Sequence, residues 1–166
     1  MIHMVVPSVP PSMNHAYENK PRKVRVGGRF QTKHLRMLSE EGKAYKIATS
    51  THLVRNYPTE LQLFRKNRPF ALFLCFVFSE ADLMVKAYPD KSDNRYKKLD
   101  VGNRLKLFED ALAEATGLDD SHNWLVALMK RTGKEEATHI WAWDMEDGPG
   151  PFVNSAESLL SIAEVQ

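Results

Sequence analysis

Nine consecutive apolar residues, FALFLCFVF from Phe70 to Phe78, constrain this chain more than any other feature. The run is far too short to cross a bilayer as a helix, which takes about 20 residues. It shows no polar alternation, so it reads as a central strand buried on both faces or nearly so. A chain of 166 residues has room to enclose such a strand as one domain with one sizeable core. The single cysteine, Cys75, lies inside the run, which excludes an intrachain disulfide and a cysteine-rich zinc site and suits a reducing compartment. The start MIHMVVPSVPP lacks the charged region and long apolar core of a secretory signal. A cytoplasmic protein without membrane contact is expected.

Around this strand the pattern alternates between elements. IHMVV (2–6) reads as a first strand closed by a proline-rich turn. Residues 14–38 are polar and basic with Gly27-Gly28 at their centre, which predicts a loop or a hairpin. Ser39 reads as an N-cap, with Glu40 and Glu41 placed for the positive end of a helix dipole. That helix should run to about Asn56 with Tyr45, Ala48 and His52 on one face, and Pro58 beyond its end. Residues 80–98 form a long charged connection. From Arg104 to about Thr116, apolar residues recur every three or four positions, and Gly117 sits where a C-cap glycine would. NWLVALMKR (123–131) and ATHIWAWDM (137–145) are expected to pair as an antiparallel hairpin around Thr132-Gly133. The segment 146–166 is set apart as a C-terminal tail, with a short amphipathic helix expected over 155–165. The order predicts an α+β single domain, with a small mixed β-sheet and two main helices, over residues 1–145.

The net charge of +2 conceals an asymmetry. Residues 1–106 hold 20 Lys/Arg against 9 Asp/Glu, whereas 107–166 hold 3 against 12. Nine of the basic residues fall between Lys20 and Lys46, interleaved with Tyr17, Phe30 and Tyr45, and a second group runs from Lys86 to Lys106. Solvated surface explains such runs, and so does a polyanionic partner such as nucleic acid.

Asp100 precedes the second long helix, Asp119 and Asp120 follow it, and Lys106 lies within its first turns. A helix of about 13 residues is about 20 Å long, so the acidic points meet only if the chain folds back after Gly117. If they meet, the cluster is all oxygen, which suits Mg²⁺ or Mn²⁺, with Lys106 placed to offset charge on a phosphate. Each residue also has a plainer reading: Asp100 as an N-cap, Asp119-Asp120-Ser121 as a turn, and Lys106 as an exposed helical lysine. The six histidines show no metal or triad spacing; His122, beside the acidic pair, is the one of interest.

Three blocks read together change the weight of these observations. VPPSMNHAY (9–17), LSEEGKAYK (38–46) and LDVGNRLKLFEDALAEATGLDDS (99–121) resemble, in order, the PPSxN, SxEGxAY and DxDNxxKxxxDAL blocks of the RusA family of Holliday-junction endonucleases, common in bacteriophages and prophages. The resemblance implies a RusA-like fold and catalytic roles for Asp100, Lys106 and Asp120. Metal ligation would fall to Asp100, Asp120 and Asp119, with Mg²⁺ (or Mn²⁺) as cofactor. Asn103 matches the family's asparagine, and Asp110 opens its DAL triplet. The DNA-binding set would be Asn14, Lys20, Arg22, Lys23, Arg25, Arg29, Lys33, Arg36, Lys97, Lys98, Asn103 and Arg104, with Phe30 or Tyr17 available to stack on a base.

One position departs from the pattern. The second aspartate of DxD falls on Gly102, which supplies no ligand. In a strand, positions 100 and 102 would share a face. Asp119, Asn103 or a water fills the place, or junction binding survives without cleavage, or the backbone shifts so that Glu109 or Asp110 reaches in. The implied function is Mg²⁺-dependent resolution of four-way DNA junctions by a homodimer, with self-association through WLVALM, HIWAWDM or LLSIA. The alternatives are a junction-binding protein of the same fold and a protein-interaction module.

Overall fold

The computed structural model describes residues 1–64, 68–79 and 101–147, and of Asp120 the backbone alone. The charged connection 80–98 and the helix expected over 155–165 lie outside the described residues. The elements are β1 (Ile2–Val6), α1 (Met13–Ala16), β2 (Tyr17–Val26), β3 (Arg29–Leu38), α2 (Glu40–Asn56), β4 (Phe70–Ser79), α3 (Gly102–Thr116), β5 (Asn123–Gly133) and β6 (Ala137–Asp144). Single 3₁₀ turns occupy Glu60–Gln62, Asp120–His122 and Met145–Asp147.

Four strands form one mixed sheet in the order β1-β6-β4-β5, and β2 pairs with β3 in a separate ribbon. With two long helices beside it, this is the expected α+β domain. The apolar run becomes β4, and every residue from Phe70 to Phe78 is buried. One face of the sheet (Leu72, Leu74, Phe76, Met4, Ile140) packs on Leu53 of α2 and on Phe108 and Leu112 of α3. Each such large side chain contributes about 1.5–3 kcal/mol by leaving water. Phe73, Cys75, Trp141 and Trp143 form a second buried cluster on the opposite face.

The expected hairpin between the last two strands does not form. β4 stands between them, parallel to β5 (Leu74↔Leu128) and antiparallel to β6 (Leu74↔Ile140). A strand that is apolar throughout also needs partners for its backbone on both edges, and β5 and β6 supply one each. Gly133 therefore ends β5 opposite Ser79 and makes no turn into a neighbour.

Helix α2 begins as its sequence predicts: Ser39 Oγ accepts the Gly42 N–H at 3.0 Å, with Glu40 and Glu41 in the first turn. Its buried row is Gly42, Tyr45, Thr49, Ser50 and Leu53, while Ala48 is exposed, a correction to the expected face. Stepping four residues from Tyr45 keeps the row on the buried side, where Tyr45 meets Leu107 and Ala111 of α3; stepping three does not. His52 Nε2 lies 3.0 Å from the Val5 carbonyl, and the Val5 N–H donates to the Tyr57 hydroxyl at 3.0 Å. These contacts satisfy Val5 on the outer edge of β1, which pairs only with β6 among the described strands.

Helix α3 starts at Gly102, two residues ahead of expectation, and ends at Gly117 in a left-handed conformation, φ 74°. Position 102 is helical, so the strand alternation expected to align positions 100 and 102 does not reach it. Residues 17–38 form the hairpin alternative, ten cross-strand pairs from Tyr17↔Leu38 to Val26↔Arg29. Gly27 (φ 56°) and Gly28 (φ 82°) close it; two successive positive φ angles make the tight turn whose twist matches a β-ribbon.

Candidate functional site

Helical spacing lines up Gly102, Lys106, Glu109 and Ala113 on the outer face of α3, opposite the buried row Leu107, Phe108, Ala111, Leu112 and Ala115. The chain folds back after Gly117, and Asn123 Nδ2 donates to Glu109 Oε1 at 2.8 Å. Glu109 lies seven residues past Gly102, about 10 Å along the axis. The return therefore recovers roughly half the length of the helix and sets the acidic turn beside its middle.

In that turn, Asp119 Oδ1 accepts the Ser121 N–H at 2.9 Å. The His122 N–H donates to the Asp119 carbonyl at 3.2 Å. His122 Nδ1 lies 3.2 Å from the same carbonyl, which only accepts, so Nδ1 carries the hydrogen. Asp100 and the Asp120 side chain lie outside the described residues. Among the described residues no three His, Cys, Asp or Glu side chains gather as a metal site. Two oxygen donors are nevertheless at hand beside position 120. One is Asp119; the other is Asn123 Oδ1, buried and without a hydrogen-bond partner among the described residues. A donor set of carboxylate and amide oxygens fits Mg²⁺ or Mn²⁺ and not a thiophilic metal.

On the other flank of the outer face, Lys106 Nζ lies 3.1 Å from Asp110 Oδ1. Tyr17 donates its hydroxyl to Asp110 Oδ2 at 3.0 Å, and the Arg36 guanidinium sits 4.9 Å over the Tyr17 ring. Burial, followed by the Asp110 carboxylate, pushes the Tyr17 phenol up to about 12. At neutral pH the phenol keeps its hydrogen and donates it to Asp110. With Asp110 bound on both oxygens, it does not reach into the place left at Gly102, and Glu109 is turned toward Asn123.

The remaining expected binding residues separate by position. Lys20, Arg22, Lys23, Arg25, Arg29, Lys33 and Arg36 are all exposed on the β2–β3 ribbon. The register puts Lys23, Arg25 and Arg36 on one face and Lys20, Arg22, Arg29 and Lys33 on the other. Phe30, opposite Arg25 near the tip, is 73% exposed, so it does not pack in a core. Tyr17 sits at the root of the ribbon, engaged with α3. Asn14 is exposed in α1, and Asn103 is exposed in the first turn of α3. Arg104 turns inward: its Nη1 donates to the Pro10 carbonyl and its guanidinium stacks 5.1 Å over Phe78. Desolvation lowers its pKa, and its contacts pin the VPPS segment to α3. Lys97 and Lys98 lie outside the described residues.

Trp124, the first residue of the WLVALM segment, is 71% exposed four positions past Asp120. Asn123 escaped the sequence reading, where it looks like a strand boundary; only its amide contact with Glu109 reveals it.

No curated protein matches the chain. The family model described as "Endodeoxyribonuclease RusA" does, over residues 9–141, a span that takes in α1, the basic ribbon, α3, the acidic turn and most of the sheet. The chain belongs to the RusA endodeoxyribonuclease family.

Proposed function

We propose that the chain is a divalent-metal-dependent endonuclease that resolves four-way DNA junctions as a homodimer. One observation carries this reading: the outer face of α3 places Lys106 between the acidic turn, joined at Glu109, and the root of an exposed basic ribbon, joined at Asp110. Family membership supplies the reaction class, phosphodiester hydrolysis in DNA.

The ribbon grips DNA. Ten pairs at about 3.3 Å reach about 30 Å, and cations on both faces suit phosphates on either side of a groove wide enough for a two-stranded ribbon. Phe30 at the tip stacks on a base unpaired at the branch point. Asp100, Asp119 and Asp120 hold Mg²⁺ or Mn²⁺, with Asn123 Oδ1 available as a further oxygen donor. When bound, the cation polarises the scissile phosphate and lowers the pKa of the attacking water. Lys106 meets the negative charge that develops on the phosphate oxygens. Of the self-association segments, HIWAWDM is buried within the sheet and LLSIA lies outside the described residues. Of the two described segments the one with exposed apolar side chains is WLVALM on β5, where Trp124 and Leu125 are exposed and the only partner among the described strands is β4. No helix of the described residues is long and apolar enough to cross a membrane.

A second reading, junction binding without cleavage, is favoured by Gly102 and by the absence of an acidic residue in the first turn of α3. A synthetic mobile four-way junction separates the two. Paired symmetric nicks that need Mg²⁺ or Mn²⁺ and vanish in Asp120→Asn support the nuclease. Tight binding without nicks in either metal supports the binding protein, and equal affinity for junction and linear duplex removes both.

A further inference from the structure

Asp110 engages both of its carboxylate oxygens, one with Lys106 Nζ at 3.1 Å and one with the Tyr17 hydroxyl at 3.0 Å. Tyr17 is the first residue of β2, 93 positions away in sequence, so this contact ties the root of the ribbon to the helix that carries the lysine. A lysine side chain that is half exposed samples many rotamers, and an exposed i,i+4 ion pair is too weak to hold it in one. The Asp110 side chain is 28% exposed, and its second oxygen is fixed by a phenol that lies beneath the Arg36 guanidinium. A carboxylate held from behind presents its other oxygen at a fixed point, and the ammonium group follows it.

We propose that Tyr17 and Asp110 are positioning residues for Lys106, the phenol fixing the carboxylate and the carboxylate fixing the ammonium on the outer face of α3. The inference rests on the reading of Lys106 as the cation at the scissile phosphate. It differs from simple anchorage of the ribbon to α3. Anchorage would show in stability or DNA affinity, whereas positioning shows in the behaviour of Lys106 and in the rate once DNA is bound.

Two measurements on the full chain test it. In the free protein, ¹⁵N relaxation of the lysine ammonium groups, with Lys106 assigned through Lys106→Arg, reads its mobility without any cleavage. In Tyr17→Phe, which keeps the ring and removes only the hydroxyl, the Lys106 ammonium order parameter should fall by about half, as it should in Asp110→Asn. With protein in excess over a four-way junction and Mg²⁺ present, the single-turnover rate of Tyr17→Phe should fall about tenfold while junction Kd stays within about twofold. An unchanged Lys106 signal in Tyr17→Phe overturns the inference. So does a weakened Kd with an unchanged saturated rate, which would assign Tyr17 to DNA grip. If the native chain binds junctions without cutting, the nuclease reading itself fails, and if Lys106→Ala cuts at the native rate, the role given to Lys106 fails. Either failure appears with Tyr17 intact.

Discussion

Gly42 lies so close to Ala16 that a β-carbon added to it would fall inside the van der Waals shell of the Ala16 carbonyl oxygen and 3.1 Å from a Leu38 methyl. The same carbonyl accepts the Ser39 N–H at 2.9 Å, so it cannot move aside cheaply. Gly42→Ala should destabilise the fold by about 1–3 kcal/mol, the range for overpacking. The urea midpoint measures this; a midpoint at or above the native value would show that the backbone yields.

His3 Nε2 and His139 Nδ1 lie 3.3 Å apart against Trp141. Burial first, then the charges of His3 and Arg131, push His139 down to about 4, and burial lowers His3 as well. Both groups start from 6.5 in the unfolded chain. Below that value the unfolded state takes up protons that the folded state refuses, so stability should fall as pH drops from about 6.5 toward about 4. Urea midpoints at pH 7.5 and 5.0 should differ in the native chain and differ less in His139→Gln, where the burial of His3 remains. A midpoint independent of pH between those values would contradict the assignment.

Gly102 occupies the first helical position of α3, where glycine is a poor former and a carboxylate favours the dipole. Gly102→Asp should stabilise the chain by about 0.5–1 kcal/mol, read as a rise in Tm of about 2 °C. At limiting metal it should also raise junction cleavage by about tenfold, the scale of one coordinating partner. A gain in Tm with unchanged cleavage would mean that another oxygen already serves in its place.

Removing cations from the ribbon should flatten the salt dependence of DNA binding, because each one that meets a phosphate releases counterions. Replacing Arg25 and Arg29 together by Gln should reduce the slope of log K against log salt by about 2. Phe30→Ala should leave that slope alone and weaken junction affinity by about 1–3 kcal/mol. Affinities measured from 50 to 200 mM salt distinguish the two; a slope that changes with Phe30 alone would place the tip away from an unpaired base.

Local chemistry made much of this architecture readable. The Ser39 cap, the apolar run of β4, the Gly117 terminus and the paired glycines of the ribbon each act within a few residues, and each stands in the structure as its sequence indicates. The Lys106–Asp110 pair follows from helical spacing alone. What local chemistry does not contain is the insertion of β4 between two consecutive strands, because a turn sequence such as Thr132-Gly133 cannot register a third strand arriving from elsewhere. The inward turn of Arg104 has the same origin. A basic residue inside a signature block reads as a DNA ligand until the fold brings Pro10 and Phe78 against it. Tyr17 and Asp110 meet for a tertiary reason as well, which no spacing rule encodes.

The pairing of β1 with β6 carries a consequence for biosynthesis. His3 and His139 touch across 136 positions, and the edge of the sheet closes only when the second of these strands has been made. Contacts so distant in sequence slow folding, because a long loop must be ordered before any pairing rewards it. A growing polypeptide on the ribosome therefore carries its basic ribbon early and its finished sheet late. Any cutting activity that depends on α3 being clamped against that sheet is withheld until synthesis has passed Asp144.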